Sequence, residues 1–127
     1  MYSKHESEVK LNKLKGRSYK LLASSKTIGC KNLCAGVSFF PSGQHGPGHI
    51  HTKEEEVIYC LIGTGEVIIE NKHFELKPGI VVYFPPGSLH SINNTGKETI
   101  KLLFMFSPPA KIGQYKDHES KEEESKE

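Results

Sequence analysis

Four residues in this sequence have the types and spacing to hold a metal ion. Three lie in the stretch Gly46-Pro47-Gly48-His49-Ile50-His51-Thr52-Lys53-Glu54-Glu55-Glu56, where two histidines one residue apart are followed by three glutamates. Taken alone, such a histidine pair is most often a solvated loop. In an extended chain, however, residues two apart point to the same side, so His49 and His51 can share a cavity while Ile50 faces away. Thr52 and Lys53 read as a turn, after which a returning antiparallel strand brings one glutamate opposite the imidazoles. On that strand Glu56, Ile58, Cys60 and Ile62 share a face, and Glu56 is its only charge. A lone charge on an inward face is unfavourable unless something pairs it. A metal ion would, and His90, directly after the rigid Pro85-Pro86-Gly87 turn and Ser88-Leu89, supplies a fourth donor from another strand.

Neutral imidazole nitrogens and one carboxylate suit a divalent transition metal: Fe, Mn, Ni, Zn, Co or Cu. Four protein ligands leave one or two positions open on a five- or six-coordinate ion, and open positions admit a small molecule. Glu54 and Glu55 read as solvated charges at the start of the strand. His5, His45 and His73 read as surface residues, with His45 the one near enough to reach the cavity mouth. Cys60 reads as a packed thiol.

The elements that must position these residues are short. Punctuation by Gly, Pro and Asn recurs at intervals too brief for ordinary helices, which predicts an all-β fold. Candidate strands run over 33–40, 55–62, 66–70, 73–76, 80–84, 90–93 and 99–106, with a further one near 19–23. The segment from Val67 to Leu76 reads as a hairpin closed by two residues, Asn71 and Lys72, with Asn71 tolerating the left-handed backbone. Strands such as Val57 to Ile62 and Lys101 to Phe106 are apolar on successive residues, which predicts that both of their faces are covered. A partner subunit is the natural cover for the outer one, so a homodimer is expected.

At 127 residues and 14.2 kDa the chain has room for one domain. We expect a polar N-terminal arm over 1–18, a barrel over 19–110 and a polar tail over 111–127. The last twelve residues carry three lysines against six acids and no aromatic or branched aliphatic side chain, so they cannot offset the entropy of ordering. A disordered or solvated helical tail follows. No apolar run approaches the ~20 residues of a bilayer span, and the first residues are polar where a secretory signal would be apolar. Three cysteines fit a reducing compartment, hence the cytoplasm. A net charge of +2 with scattered lysines argues against nucleic-acid binding.

Gly43-x5-His49-x-His51-x4-Glu56-x6-Gly63 followed by Gly79-x5-Pro85-x-Gly87-x2-His90-x3-Asn94 resembles the paired motifs of the cupin superfamily. The likeness runs from about Val37 to Phe106, and its one departure is Ile80, where the second motif commonly has Asp. The resemblance implies a small antiparallel jelly-roll barrel with His49, His51, Glu56 and His90 holding a metal inside it. It also implies an enzyme acting on a small oxygen-rich molecule, either a dioxygenase or a Lewis-acid isomerase or lyase, with Glu56 as a candidate base. The alternative is a module that binds a sugar or carboxylate without turnover.

Overall fold

Between Ile100 and Ser107, buried Ile100, Leu102, Phe104 and Phe106 alternate with side chains that are half-buried or exposed. That period of two is the signature of a strand with one face on a core, and it repeats through the chain. The computed structural model describes residues 2–46 and 48–109 and the backbone of 116 and 117. After a single 3₁₀ turn, Glu6–Glu8, the strands are β1 (Asn12–Leu14), β2 (Arg17–Ala23), β3 (Cys34–Phe40), β4 (His49–Ile50), β5 (Glu55–Ile62) and β6 (Gly65–Ile69). They continue with β7 (Lys72–Leu76), β8 (Val81–Phe84), β9 (Leu89–Asn93), β10 (Ile100–Ser107) and β11 (Lys116–Asp117).

Two antiparallel sheets result, one ordered β1-β2-β3-β10-β5-β8 and the other β11-β4-β9-β6-β7. Their inner faces meet in a core built from Ile58, Cys60, Val67, Leu76, Phe84, Ile100, Leu102 and Phe104, with Phe40 and Phe106 toward the histidine cluster. This is the small antiparallel jelly-roll barrel expected. The stretch 12–18, expected in the N-terminal arm, adds β1 and the start of β2 to an edge of the larger sheet. Before it, the Glu6 carboxylate pairs with Lys101 at 3.1 Å, and its carbonyl accepts from Lys20 at 3.1 Å, so the polar arm is tied to the barrel by charge. Of the tail, only the two-residue β11 is described, and the expectation of a disordered or helical segment otherwise lies outside the described residues.

Two local readings change. The β6–β7 hairpin turns on Glu70 and Asn71, one residue earlier than expected, because Ile69 pairs with Lys72. Both turn residues have positive φ, 55° and 112°, the backbone that a right-twisted two-residue hairpin demands. Ile62 does not join Glu56, Ile58 and Cys60 inside. The register of β5 against β10 shifts between Lys101 and Leu102, a bulge that leaves Ile62 exposed. The outer face of β5, for which a partner subunit is the expected cover, carries Val57, Tyr59 and Leu61, exposed in the single chain next to Val81 and Tyr83 of β8.

Candidate metal centre

His49 and His90 sit directly opposite each other in the β4–β9 pair, which sets their imidazoles side by side with ring centroids 4.4 Å apart. His51 follows β4 and is buried with His49 on the same side, as the alternation predicts. Glu56 arrives differently from the expectation. The strand it starts, β5, belongs to the other sheet and does not pair with β4. The carboxylate therefore reaches the imidazoles across the interior of the sandwich, at 3.3 Å from His51 Nε2 and 3.5 Å from His90 Nε2. One ligand atom from each of His49, His51, Glu56 and His90 lies within 4.8 Å of all the others, and all four residues are buried.

Neighbouring groups fix these rings. Within the Pro85–Ser88 turn, the backbone N–H and hydroxyl of Ser88 both donate to the Pro85 carbonyl, at 3.2 and 2.8 Å. The Gly87 N–H donates to the His51 carbonyl at 2.7 Å, which ties the histidine pair to the turn. Gly87 has φ of +83°, a left-handed backbone that glycine adopts without strain. At the start of β9 the Leu89 N–H donates to the Glu70 carboxylate and the Glu70 N–H to the Leu89 carbonyl. The His90 ring then stacks on Phe84 at 4.0 Å, and His51 meets the edge of Phe106 at 4.6 Å.

The donor set fits a cation on its own chemistry. His90 Nδ1 lies 3.3 Å from the Ser88 carbonyl, which only accepts, so that contact places the proton on Nδ1 and the lone pair on Nε2. Nε2 and the Glu56 Oε1 it faces are both buried, and among the described residues neither has a partner in hydrogen-bond geometry. Two acceptors that close, out of water, need a positive charge between them, either a proton or a metal ion. Burial, the largest influence on Glu56, raises its pKa, yet the His51 and His90 imidazoles outweigh it and hold the carboxyl below its ordinary value.

The other residues singled out in the sequence divide cleanly. Glu55 is exposed and accepts a hydrogen bond from the outward-facing Tyr83 hydroxyl at 3.0 Å. His5, His45 and His73 are exposed, His73 pairing with Glu66 at 3.0 Å. Cys60 is packed in the core, where burial pushes its thiol up. Asn94 is structural: its amide donates to the Phe40 and Glu98 carbonyls at 2.8 Å each, and its oxygen accepts from Gly96.

A cavity of about 410 Å³, counting its open mouth, extends from the cluster. His49, His51 and Glu56 line it together with the apolar side chains of Phe40, Phe104, Phe106, Ile92 and Leu102. Arg17, Tyr19 and Ser38 complete the lining, and the sequence reading did not assign them to the site. Their signal was present: Arg17, Tyr19 and Leu21 alternate as a strand face does, but the strand was expected to start only at Tyr19.

A jelly-roll barrel holding three imidazoles and a carboxylate inside it defines a class of protein. Residues 36–106 match the Cupin domain family, and the chain belongs to that family. An uncharacterised protein of Methanocaldococcus jannaschii is 38% identical over 69 residues, covering 54% of this chain and 55% of its own length. The L-ectoine synthase of Bordetella petrii is 35% identical over 76 residues, 58% of this chain and 54% of its own. The match thus spans about half the length of these curated relatives. Among solved structures, the ectoine synthase of P. lautus superposes with a TM-score of 0.78 at 18% identity, covering 90% of this chain and 83% of that one, a likeness of fold.

Proposed function

We propose that this protein is a metal-dependent enzyme acting on a small oxygen-rich molecule, with His49, His51, Glu56 and His90 as the ligands of one divalent transition ion. The observation that carries this reading is the buried approach of Glu56 Oε1 to His90 Nε2 at 3.5 Å. Bound there, an ion supplies Lewis acidity toward a substrate oxygen or, if redox-capable, electron exchange with O₂. The chain does the rest. Phe40, Phe104 and Phe106 exclude water from the cavity, which strengthens every charge interaction inside it. Glu56, kept ionised by its imidazole neighbours, is the candidate base for a proton on carbon beside the bound oxygen. A relative that bears an enzyme name, L-ectoine synthase, supports turnover.

The exposed apolar face of β5 and β8 supports a homodimer. Val57 stands opposite Tyr83 and Tyr59 opposite Val81, and Val81 is 64% exposed at an edge strand. Three free thiols fit a reducing compartment such as the cytoplasm.

The test is elemental analysis of untagged protein beside a Glu56→Ala, His90→Ala double variant. About one Fe, Mn, Ni, Zn, Co or Cu per chain, lost in the variant, is the expected result. Oxygen uptake with diols then marks a dioxygenase, and metal-dependent deuterium exchange beside a carbonyl marks a Lewis-acid enzyme. No metal in either protein after reconstitution overturns the proposal and leaves a binding barrel.

A further inference from the structure

The polar lining of the cavity falls into two sets, and only one belongs to the His and Glu cluster. The second comes from β2 and β3. Arg17 and Tyr19 lie two residues apart on β2 and both line the cavity. Tyr19 is directly opposite Ser38 of β3 in the strand register, and Ser38, which is buried, lines the cavity too. Arg17, Tyr19 and Ser38 are thus, apart from His49, His51 and Glu56, the polar members of a lining otherwise made of Phe, Ile and Leu.

The placement is selective. The chain has seventeen basic residues, sixteen of them lysines, and Arg17 is its single arginine. Among the described residues it is also the only lysine or arginine in the cavity lining. Guanidinium differs from ammonium in being planar and permanently charged, with donors forked to match two oxygens of a carboxylate. A half-buried arginine beside apolar walls holds its charge where screening by water is reduced, so an anion there gains more than at the surface. Among the described residues Glu56 is the one acid in the lining.

We propose that Arg17 anchors a carboxylate of the substrate, with Tyr19 and Ser38 donating hydroxyl hydrogen bonds to the same group, so that the substrate is a small carboxylic acid. This rests on the proposed metal-dependent function for the identity of the other polar set, not for the anion site itself. The acid's other oxygen-bearing end then faces His49, His51 and Glu56. Arg17 is a specificity-determining residue, setting which molecules enter and how they lie.

Titration calorimetry tests this on the full chain, both metal-free and zinc-reconstituted, with acetate, pyruvate and malonate as probes, each beside its uncharged amide. At least one acid is expected to bind about tenfold or more tighter than its amide. Arg17→Gln removes that preference with metal content unchanged; Arg17→Lys keeps part of it, since ammonium retains the charge but loses the fork. Tyr19→Phe and Ser38→Ala weaken the acid severalfold and leave the amide alone. Equal binding of acid and amide by the wild type overturns the proposal. A preference that survives Arg17→Gln does so as well, because it then belongs to the ion alone. Should circular dichroism show Arg17→Gln unfolded, Arg17→Lys and Tyr19→Phe decide by the same criterion. A metal-free wild type that still prefers acids through Arg17, and takes up no metal, sinks the metal-enzyme reading while sustaining this one.

Discussion

Glu56 Oε1 and His90 Nε2 lie 3.5 Å apart although they come from strands of opposite sheets that share no hydrogen bonds. The contact therefore reports how the two sheets are stacked. The sheets are held at this point by the core around it, including Phe84 against the His90 ring and Phe106 against His51. A site assembled this way is preorganised, because its ligand positions are set by packing that forms whether or not an ion is bound.

Glu56→Gln is expected to fold normally and to weaken metal binding by more than about 100-fold, since loss of even an outer partner of a ligand costs about 10- to 100-fold. The amide keeps the shape of the side chain but not its charge. Metal binding and thermal melting check it together. In the wild type, free metal at about 100 times its Kd adds about 2.7 kcal/mol, or roughly 10 °C in a domain of this size, and chelator removes it. The variant shows no such shift. A wild-type melting point indifferent to metal argues against the site.

Acid acts on the site in two ways. With metal present, affinity falls as the solution is acidified, because protons compete with the ion for the same donor atoms. Without metal, the relevant group is Glu56, whose folded-state pKa is depressed below its ordinary 4.5 by His51 and His90 against the opposing effect of burial. Its stabilising contribution is full above the unfolded value and disappears as pH falls through the lower folded one. Urea melts of the metal-free protein from pH 7 to 3 should show that acid limb in the wild type and a flatter profile in Glu56→Gln. Parallel profiles would show that Glu56 carries no linked proton.

Much of this was legible because strand periodicity is a local property. The burial of Glu56, Ile58 and Cys60 on one face of β5, and the shared side of His49 and His51, follow from a period of two that needs no tertiary knowledge. Partnership between strands is not local. The sequence placed Glu56 on a strand returning beside the histidines, whereas β4 and β5 part into different sheets, and only the packed barrel reveals that the carboxylate crosses the interior. Ile62 was misplaced because a bulge shifts the register against β10, and bulges leave no clear mark in a run of apolar residues. Arg17 was missed for a related reason: a strand's first residues are set by the partner it joins, here β1 and β3.

Phe84→Ala is expected to harm stability and the site at once. Its ring is fully buried and stacked on His90 at an interplanar angle of 13°. Truncation of a buried Phe costs about 3–5 kcal/mol through lost transfer energy and the cavity left behind. It also frees the His90 ring to turn, so metal affinity should fall even though no ligand is changed. Phe84→Leu, which fills more of the space, should recover a large part of the stability but less of the affinity, because an aliphatic side chain offers no flat face. Denaturant melts and metal titration on both variants separate the two effects; equal recovery of both would mean that Phe84 acts by volume alone.

Val81→Glu addresses assembly. Val81 faces outward from edge strand β8, opposite Tyr59 and beside a patch that includes Val57 and Tyr83. An exposed position tolerates substitution within about 0.5 kcal/mol in a monomer. In a two-fold interface the same carboxylate is buried, and two copies approach each other near the axis, so association suffers both desolvation and like-charge repulsion. Light scattering at micromolar concentration is expected to give a dimer for the wild type and a monomer for Val81→Glu, with the metal content of the two proteins equal. The metal equality matters because the cluster lies on the inner side of the sheets, so loss of the dimer by itself should leave His49, His51, Glu56 and His90 in place. A wild type that is monomeric at that concentration removes the dimer, and the apolar face then requires a different partner.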